Sequence, residues 1–466
     1  MKRNKYIIIF IALIGLVFTS CKDDNQLFDE SARERTNKAI NELHEVLMSA
    51  GTDGWKVQYY TDTAYYGAYN ILMSFAENQV TMQGDELFPT GKYTSDYAVS
   101  SPQGVALVFT SYNDVLTYLA DPDKTNVTSS GETLGGDSEF IWLKTAATRD
   151  TIYFKTKKSE QAVQFIKYSG NWDEYFAKLK RMSDLFVSGD MDRYFKQIET
   201  GGVSLLLSGY DAVKRTMNPI YITANDSLII QTNGISFTDT GFEFFEPLLI
   251  GGKNVQHFTY NEANGAFEIN DPGVTGNAVS VDKPSQEFPG NINSKVFVNK
   301  HTYLFSAMSP QLMDIYAEVI DTMVERFGND LQGLTFRIHP EKALAATAEY
   351  WFEIILSRRS EEYADLLMIH PIGIDKSKRS DNILFKFREG MQFDETFNWQ
   401  SITLSDDLKP VVEAIRPLVE EFLKIILGPV NGKSFYIIPS PDYKTFTFGA
   451  SLSSNYFTLR YNGFVE

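Results

Sequence analysis

A period of two constrains this chain more than any other feature of its sequence. Trp55, Val57 and Tyr59 alternate with Lys56, Gln58 and Tyr60, and Tyr69, Ile71, Met73 and Phe75 alternate again. Val80 and Met82 follow beyond a turn at Glu77-Asn78. Successive side chains of a strand point to opposite faces, so the pattern predicts an antiparallel meander with one face buried. Val105 to Phe109 is a continuous apolar run suited to a buried strand. Gly135-Gly136-Asp137 opens Phe140 to Leu143, and a turn at Arg149-Asp150 leads into Ile152 to Lys155, which predicts a hairpin closing the first sheet. The 34 Phe and 25 Tyr favour sheet further, because flat rings pack well on a pleated surface.

Helical spacing interrupts this rhythm in few places. Asp29 to Ala50 carries Ala32, Ala39, Leu43, Val46 and Ala50 on one side, and Gly51 and Gly54 stop it. Trp172 to Ile198 predicts two short helices broken at Ser188-Gly189. Ser309-Pro310 is a helix start, a capping hydroxyl followed by proline in the first turn. A further helix is predicted from about Asp406 to Leu427, with Pro417 expected to kink it. Strand signals fill most of the rest, from Val203 to Tyr260 and at Leu334, Tyr350, Leu384, Ser434 and Thr445; Asn261 to Pro289 is turn-rich and predicts a long surface loop. The expected class is α+β, mainly antiparallel β-sheets with a few packed helices, in two lobes. The expected division is a signal peptide (1–20), a linker (21–28), an N-terminal α+β domain with a β-meander (29–170), a helical connector (171–200), a middle β-rich region (201–300) and a C-terminal α+β region (301–466).

The N-terminus reads as an address. Lys2, Arg3 and Lys5 precede the apolar run Tyr6 to Phe18, too short to cross a bilayer as a helix and suited to a secretory signal. It ends in Phe18-Thr19-Ser20-Cys21, which looks like a bacterial lipobox with cleavage before Cys21 and lipid on its thiol and amine. Such multiple acylation exceeds what stable membrane attachment requires. Cys21 is the only cysteine, so the fold uses no disulfide and no thiolate metal site. Lys22-Asp23-Asp24 resembles the surface-export signal of Bacteroidota lipoproteins, which implies the outer leaflet of the outer membrane, exposed at the cell surface. A net charge of -17 argues against nucleic acid, whose phosphates need clustered Lys and Arg.

Several short segments carry a family resemblance. Gly54-Trp55 after the first helix, Tyr65-Tyr66-Gly67-Ala68-Tyr69-Asn70, Gly136-Asp137-Ser138-Glu139-Phe140-Ile141 before Lys155-Thr156-Lys157-Lys158, and Ile235-Ser236-Phe237 leading to Gly241-Phe242 and Glu246-Pro247 together resemble a domain-of-unknown-function family of Bacteroidota surface lipoproteins. The likeness covers most of the chain after Cys21 and is firmest between about Glu30 and Phe258. Alanine at position 68 departs from the second glycine expected there. The resemblance implies association with starch-utilisation-type outer-membrane transporters and their lipoprotein partners, and brings no catalytic residues with it.

Chemistry-bearing motifs are sparse. G-x-S-x-G elbows, P-loops and G-x-G-x-x-G turns are absent from the sequence. His44, His257, His301, His339 and His370 are dispersed without ligand spacing, and no metal or cofactor is expected. Asp121-Pro122-Asp123 lacks the glycine and terminal glutamate of an EF-hand. Tyr65, Tyr66 and Tyr69 in a predicted turn are the candidate ligand-binding residues, because exposed tyrosines offer flat apolar faces with polar tips. The functional expectation is a non-enzymatic accessory component of a nutrient uptake system that captures a glycan or peptide. The alternatives are a surface hydrolase with an unrecognised active site and an adhesin or structural surface protein.

Overall fold

The structure, a computed structural model, describes residues 30–101, 104–125, 133–187, 194–222, 228–288, 292, 302–340, 350–376, 379–387, 404–428, 432–440, 444–451 and 453–462. Strands hold 47% of the chain and helices 22%, and the strands close into three eight-stranded barrels. The expectation of a two-lobed α+β chain is thereby corrected to a mostly β one. Each barrel is sealed by one long-range antiparallel pairing. Trp55–Tyr60 joins Ala162–Lys167, with Val57 opposite Phe165. Phe195–Thr200 joins Gly276–Val281, with Ile198 opposite Ala278. Thr302–Met308 joins Tyr456–Asn462, with Leu304 opposite Arg460. Closure satisfies strand edges that an open sheet would leave exposed.

Compactness groups the described residues into two units, one holding those up to Thr61 with Asn70–Trp172, the other holding Asp62–Tyr69 with Asp173 onward. In the first, Ser31 caps the Ala32–Met48 helix reciprocally: the Glu34 amide donates to its hydroxyl at 3.2 Å and its own amide donates to the Glu34 carboxylate at 2.8 Å. The helix buries Leu43, Val46 and Leu47, and the Trp55 indole donates to the Leu47 carbonyl at 2.7 Å. Gly54 sits between them at φ 79°, where a Cβ would lie 2.3 Å from the Met73 carbonyl oxygen, so only glycine fits. Aromatic rings fill the barrel: Phe140 meets Tyr59 at 5.4 Å, Phe109 at 5.7 Å and Phe165 at 6.0 Å, all edge-on.

The second unit holds the other two barrels. Trp172–Val187 is one helix, and Phe186 enters the core of the middle barrel, 4.7 Å from Phe242 and 5.7 Å from Phe237. The expected second short helix reaching Ile198 is replaced by the strand Phe195–Thr200, and the break expected at Ser188-Gly189 lies outside the described residues. The long loop expected from Asn261 contains two further strands, Ala266–Ile269 and Gly276–Val281.

The third barrel is written twice in the chain. Strand Thr302–Met308, helix Pro310–Phe327 and strands Leu331–Pro340, Tyr350–Arg358 and Asp365–Lys376 are followed by strand Asn382–Phe387, helix Lys409–Ile426 and strands Lys433–Pro439, Thr445–Ala450 and Tyr456–Asn462. The apolar stripes of both helices, Leu312, Ile315 and Val319 on one and Val412, Ile415, Val419 and Phe422 on the other, share one core with the strands. The later helix is continuous through Pro417. A buried clamp ties residues 284–288 to this barrel. Asp381, fully buried, accepts from the Arg379 guanidinium at 2.6 Å and from the Phe288 amide at 3.0 Å, while Arg379 also donates to the Pro284 and Gln286 carbonyls.

Candidate functional site

The lipidation and export residues Cys21, Lys22, Asp23 and Asp24 lie outside the described residues. The tyrosine cluster falls within them and separates. Asp62 organises the turn, its carbonyl accepting from the Tyr65 and Tyr66 amides at 3.0 and 2.8 Å and its carboxylate from the Ala64 amide at 3.0 Å. Tyr65 is 65% exposed, Tyr66 is half-buried, and their rings lie 6.4 Å apart. Tyr69 is fully buried, and its hydroxyl donates to the Val213 carbonyl at 3.0 Å. Tyr69 is therefore a packing residue, and the exposed platform shrinks to Tyr65 with the edge of Tyr66. Gly67 pins this loop. Its amide donates to the Lys214 carbonyl at 2.8 Å, and a Cβ there would lie 2.0 Å from the Arg215 carbonyl oxygen.

The histidines are as scattered in space as in sequence, His301 lying outside the described residues. No group of three or more His, Cys, Asp or Glu among the described residues is placed to hold a metal ion. His370 is buried, and desolvation drives its pKa down to about 4, leaving it neutral. His257 pairs with carboxylates, its Nδ1 lying 2.7 Å from Asp271 and its Nε2 3.9 Å from Glu243. Burial of the Asp271 carboxyl opposes ionisation, but hydrogen bonds from the Gln256 amide and from the ring and amide of His257 outweigh it and hold the pKa below the usual aspartate value. Glu243 stands opposite His257 across neighbouring strands, a register no spacing in the sequence discloses. In the Asp121-Pro122-Asp123 turn, the Asp121 carboxylate accepts from the Asp123 amide at 2.9 Å, a local turn contact.

A recess lies on the third barrel, away from the candidate site residues read from the sequence. Thr302–Met308 pairs with Leu331–Pro340 only at Tyr303 with Ile338 and Leu304 with Arg337, and then the two strands part. Phe305, Ser306, Thr335 and Phe336, which would continue the ladder, instead line an opening of about 320 Å³ with Leu304, Leu334, Tyr316 and Arg460. A bulge between Phe305 and Ala307 releases Ser306 from the register of the other neighbouring strand as well. The corresponding seam in the second half of this barrel stays shut. Asn382–Phe387 pairs with Lys433–Pro439 from Asn382 to Phe385, Lys386 bridges Gly428, and the Lys433 ammonium donates to the Ile425 carbonyl at 2.6 Å.

Aromatic packing in the core lies behind the recess. Phe305 lies 5.3 Å from Phe457 and 5.5 Å from Phe422, and Phe336 lies 5.0 Å from Tyr316 and 5.2 Å from Phe422. The Tyr316 hydroxyl donates to the Leu334 carbonyl at 2.9 Å, and burial raises its pKa. Two arginines flank Leu304 across the sheet. Arg337 is neutralised by the buried Glu353 at 2.6 Å, whereas Arg460 is exposed and makes no ion pair among the described residues. The lining thus combines core-packed aromatic side chains with two hydroxyls and one exposed arginine, and these residues hold no nucleophile–base pair.

A family model described as a domain of unknown function (DUF4302) matches residues 24–262, more than half of the chain, while the recess lies beyond them. No curated protein matches the sequence. Among solved structures the chain aligns with DNA polymerase III subunit beta from Borrelia burgdorferi at 8% identity, covering 92% of this chain and 98% of that one, with a TM-score of 0.18. A DNA polymerase sliding clamp from Pseudomonas aeruginosa aligns at 9% identity over 93% and 98%, with a TM-score of 0.19. Scores so low carry no argument about fold or function. The match across the whole first barrel and most of the second is the informative one, and by it this chain belongs to the DUF4302 family of domains of unknown function.

Proposed function

We propose that the protein is a lipid-anchored protein of the Bacteroidota outer-membrane surface that captures a glycan or peptide and presents it to a starch-utilisation-type transporter and its lipoprotein partner. It acts without chemistry of its own. The observation that carries this reading is the recess between Thr302–Met308 and Leu331–Pro340, a concave site with aromatic and hydroxyl lining and no catalytic constellation. The lipobox at Cys21 and the Lys22-Asp23-Asp24 segment supply the anchor and the address, and Tyr65 adds an exposed ring on the loop that follows Asp62.

The hydrolase alternative has its best support in His257 and Asp271. A carboxylate orienting an imidazole is half of a nucleophilic triad, but the outward nitrogen faces Glu243, where a nucleophile would have to stand. The adhesin alternative needs long open sheet edges, and the rings are closed. The three-residue strand Leu228–Ile230 hangs on the second barrel as a short edge.

Membrane fractionation with external protease, and array binding with transporter pull-down, test the proposal together. Wild-type chain is expected in the outer membrane and digestible from outside, Cys21→Ser in the soluble fraction, and the transporter in the wild-type eluate. Absence of both a bound ligand and a transporter would overturn it.

A further inference from the structure

We infer that one outer wall of the first barrel, made by Glu139–Thr145, Thr151–Thr156, Ala162–Lys167 and Trp55–Tyr60, lies against the anionic lipid phosphates of the membrane that holds the anchor. This rests on the anchor reading and adds to it which wall faces the lipid. Strand register builds the face. Lys144 stands opposite Tyr153, Thr151 opposite Ile166, and Ile166 opposite Lys56. Paired residues project to the same side of a sheet, so these side chains share one outer surface, while Ile152, Phe154 and Phe165 between them are buried on the inner one. A bulge between Trp142 and Lys144 frees Leu143, which is 56% exposed, and Ile166 is 40% exposed. The Lys167 amide donates to the Asp150 carbonyl at 2.7 Å, which brings Lys167 beside the turn that carries Arg149.

Charge and chain length together name the partner. From Glu139 to Lys167 the sequence holds six basic residues against three acidic ones, inside a chain whose net charge is -17. Glu160 pairs with Lys155 at 3.1 Å and Glu139 with Lys157 at 2.7 Å, and the Asp150 carboxylate accepts from the Thr151 hydroxyl at 3.1 Å. Lys56, Lys144, Arg149 and Lys167 make no ion pair among the described residues, and the Lys144 ammonium lies 4.8 Å from the centre of the Tyr153 ring. Cations around exposed Leu143 and Ile166 match a surface that is negative at its phosphates and apolar just beneath them. A nucleic acid duplex has the phosphates without the apolar layer. The tether favours the membrane further: Ser31, which caps the first helix, stands ten residues after Cys21, and ten residues reach at most about 35 Å. Lipid on Cys21 therefore keeps this barrel at the headgroups at high effective concentration, and the basic face adds a second attachment and a fixed orientation.

Cosedimentation of the unlipidated full chain, Cys21→Ser, with lipid vesicles tests the face without the anchor. The probes are vesicles of phosphatidylcholine alone and of equal parts phosphatidylcholine and phosphatidylglycerol. Binding to the anionic vesicles and not to the neutral ones is expected, weakening as salt is raised from about 50 mM to about 500 mM. Each Lys or Arg at an anionic surface is worth about fivefold in partitioning, so Lys144→Gln should lose that factor and Lys144→Gln with Lys167→Gln about twenty-fivefold. Lys158→Gln, in the hairpin at the other end of these strands, should stay within about twofold. Leu143→Gln should weaken binding about tenfold through lost apolar contact, and unchanged near-ultraviolet circular dichroism of each variant reports an intact fold. Equal binding to both vesicles, indifference to the double variant, an equal loss in Lys158→Gln, or tighter binding to duplex DNA than to the vesicles would overturn the face. No vesicle binding by a chain whose wild type still fractionates with the outer membrane overturns the face alone, whereas vesicle binding by a chain whose wild type is soluble in cells overturns the anchor reading alone.

Discussion

Gly67→Ala adds one methyl group at a place where the fold has no room for it. The new Cβ would sit 2.0 Å from the Arg215 carbonyl oxygen, roughly 1.4 Å short of ordinary contact, and 2.5 Å from the Ile235 carbonyl oxygen. Neither obstacle yields easily. The Arg215 carbonyl accepts from the Ile235 amide at 2.8 Å, and the Asp211 carboxylate holds the Val213 and Lys214 amides at 3.0 and 2.8 Å. The loop from Asp62 must therefore lift, breaking the hydrogen bonds from Gly67 to Lys214 and from the Tyr69 hydroxyl to Val213. Two buried hydrogen bonds at about 1 kcal/mol each, with residual crowding of about 1 kcal/mol, place the cost near 3 kcal/mol. Amide hydrogen exchange followed by mass spectrometry on the peptide spanning residues 62–69 reads this directly. Local opening should become faster by on the order of a hundredfold. Gly333→Ala makes the same chemical change where nothing lies within 4 Å, and should stay within about 0.5 kcal/mol of wild type. Unchanged exchange of the 62–69 peptide in Gly67→Ala would refute the argument that this loop is held by a steric lock.

Two further expectations concern the third barrel. Because desolvation depresses the His370 pKa to about 4, against about 6.5 in an unfolded chain, the unfolded state takes up its proton first as pH falls; the contribution is whole above about pH 6.5 and is lost progressively towards pH 4. Thermal midpoints measured from pH 7.5 to 4.5 should decline less steeply in His370→Gln than in wild type, and parallel profiles would contradict the assignment. Asp381→Asn leaves the Arg379 guanidinium facing an amide in a fully buried site and should cost about 3–5 kcal/mol, read as a lowered denaturation midpoint and as new proteolytic cleavage within residues 284–288; a change below about 1 kcal/mol would count against the clamp.

The local signals in the sequence were faithful where one face of an element is buried over its whole length. Ser309-Pro310 begins a helix, the apolar stripe from Val411 to Ile426 is a helix, and Trp55, Val57 and Tyr59 all point into a core. The strands that escaped notice include interior ones, Tyr93–Ser100, Ala266–Ile269 and Asp365–Lys376, and most of those that seal the rings. Ala162–Lys167 closes the first barrel, Phe195–Thr200 and Gly276–Val281 the second, and Thr302–Met308 and Tyr456–Asn462 the third. Ala162–Lys167 buries only Val163 and Phe165, and Gly276–Val281 only Ala278, so their patterns are faint. Without them the chain reads as open sheets with helices on one face. The same omission hid the recess, because it exists where Thr302–Met308 stops pairing with Leu331–Pro340.

What the sequence determined alone is what depends on neighbours along the chain: the helix starts, the alternating strands and the acidic charge. What the tertiary structure decided is which strands meet, that Tyr69 is inside while Tyr65 is outside, and that Thr302–Met308 parts from Leu331–Pro340 after Leu304. The reason is the range of the forces involved. Propensity and capping act over a few residues, whereas ring closure pairs segments far apart in the chain, as Trp55 with Lys167, Ile198 with Ala278 and Leu304 with Arg460.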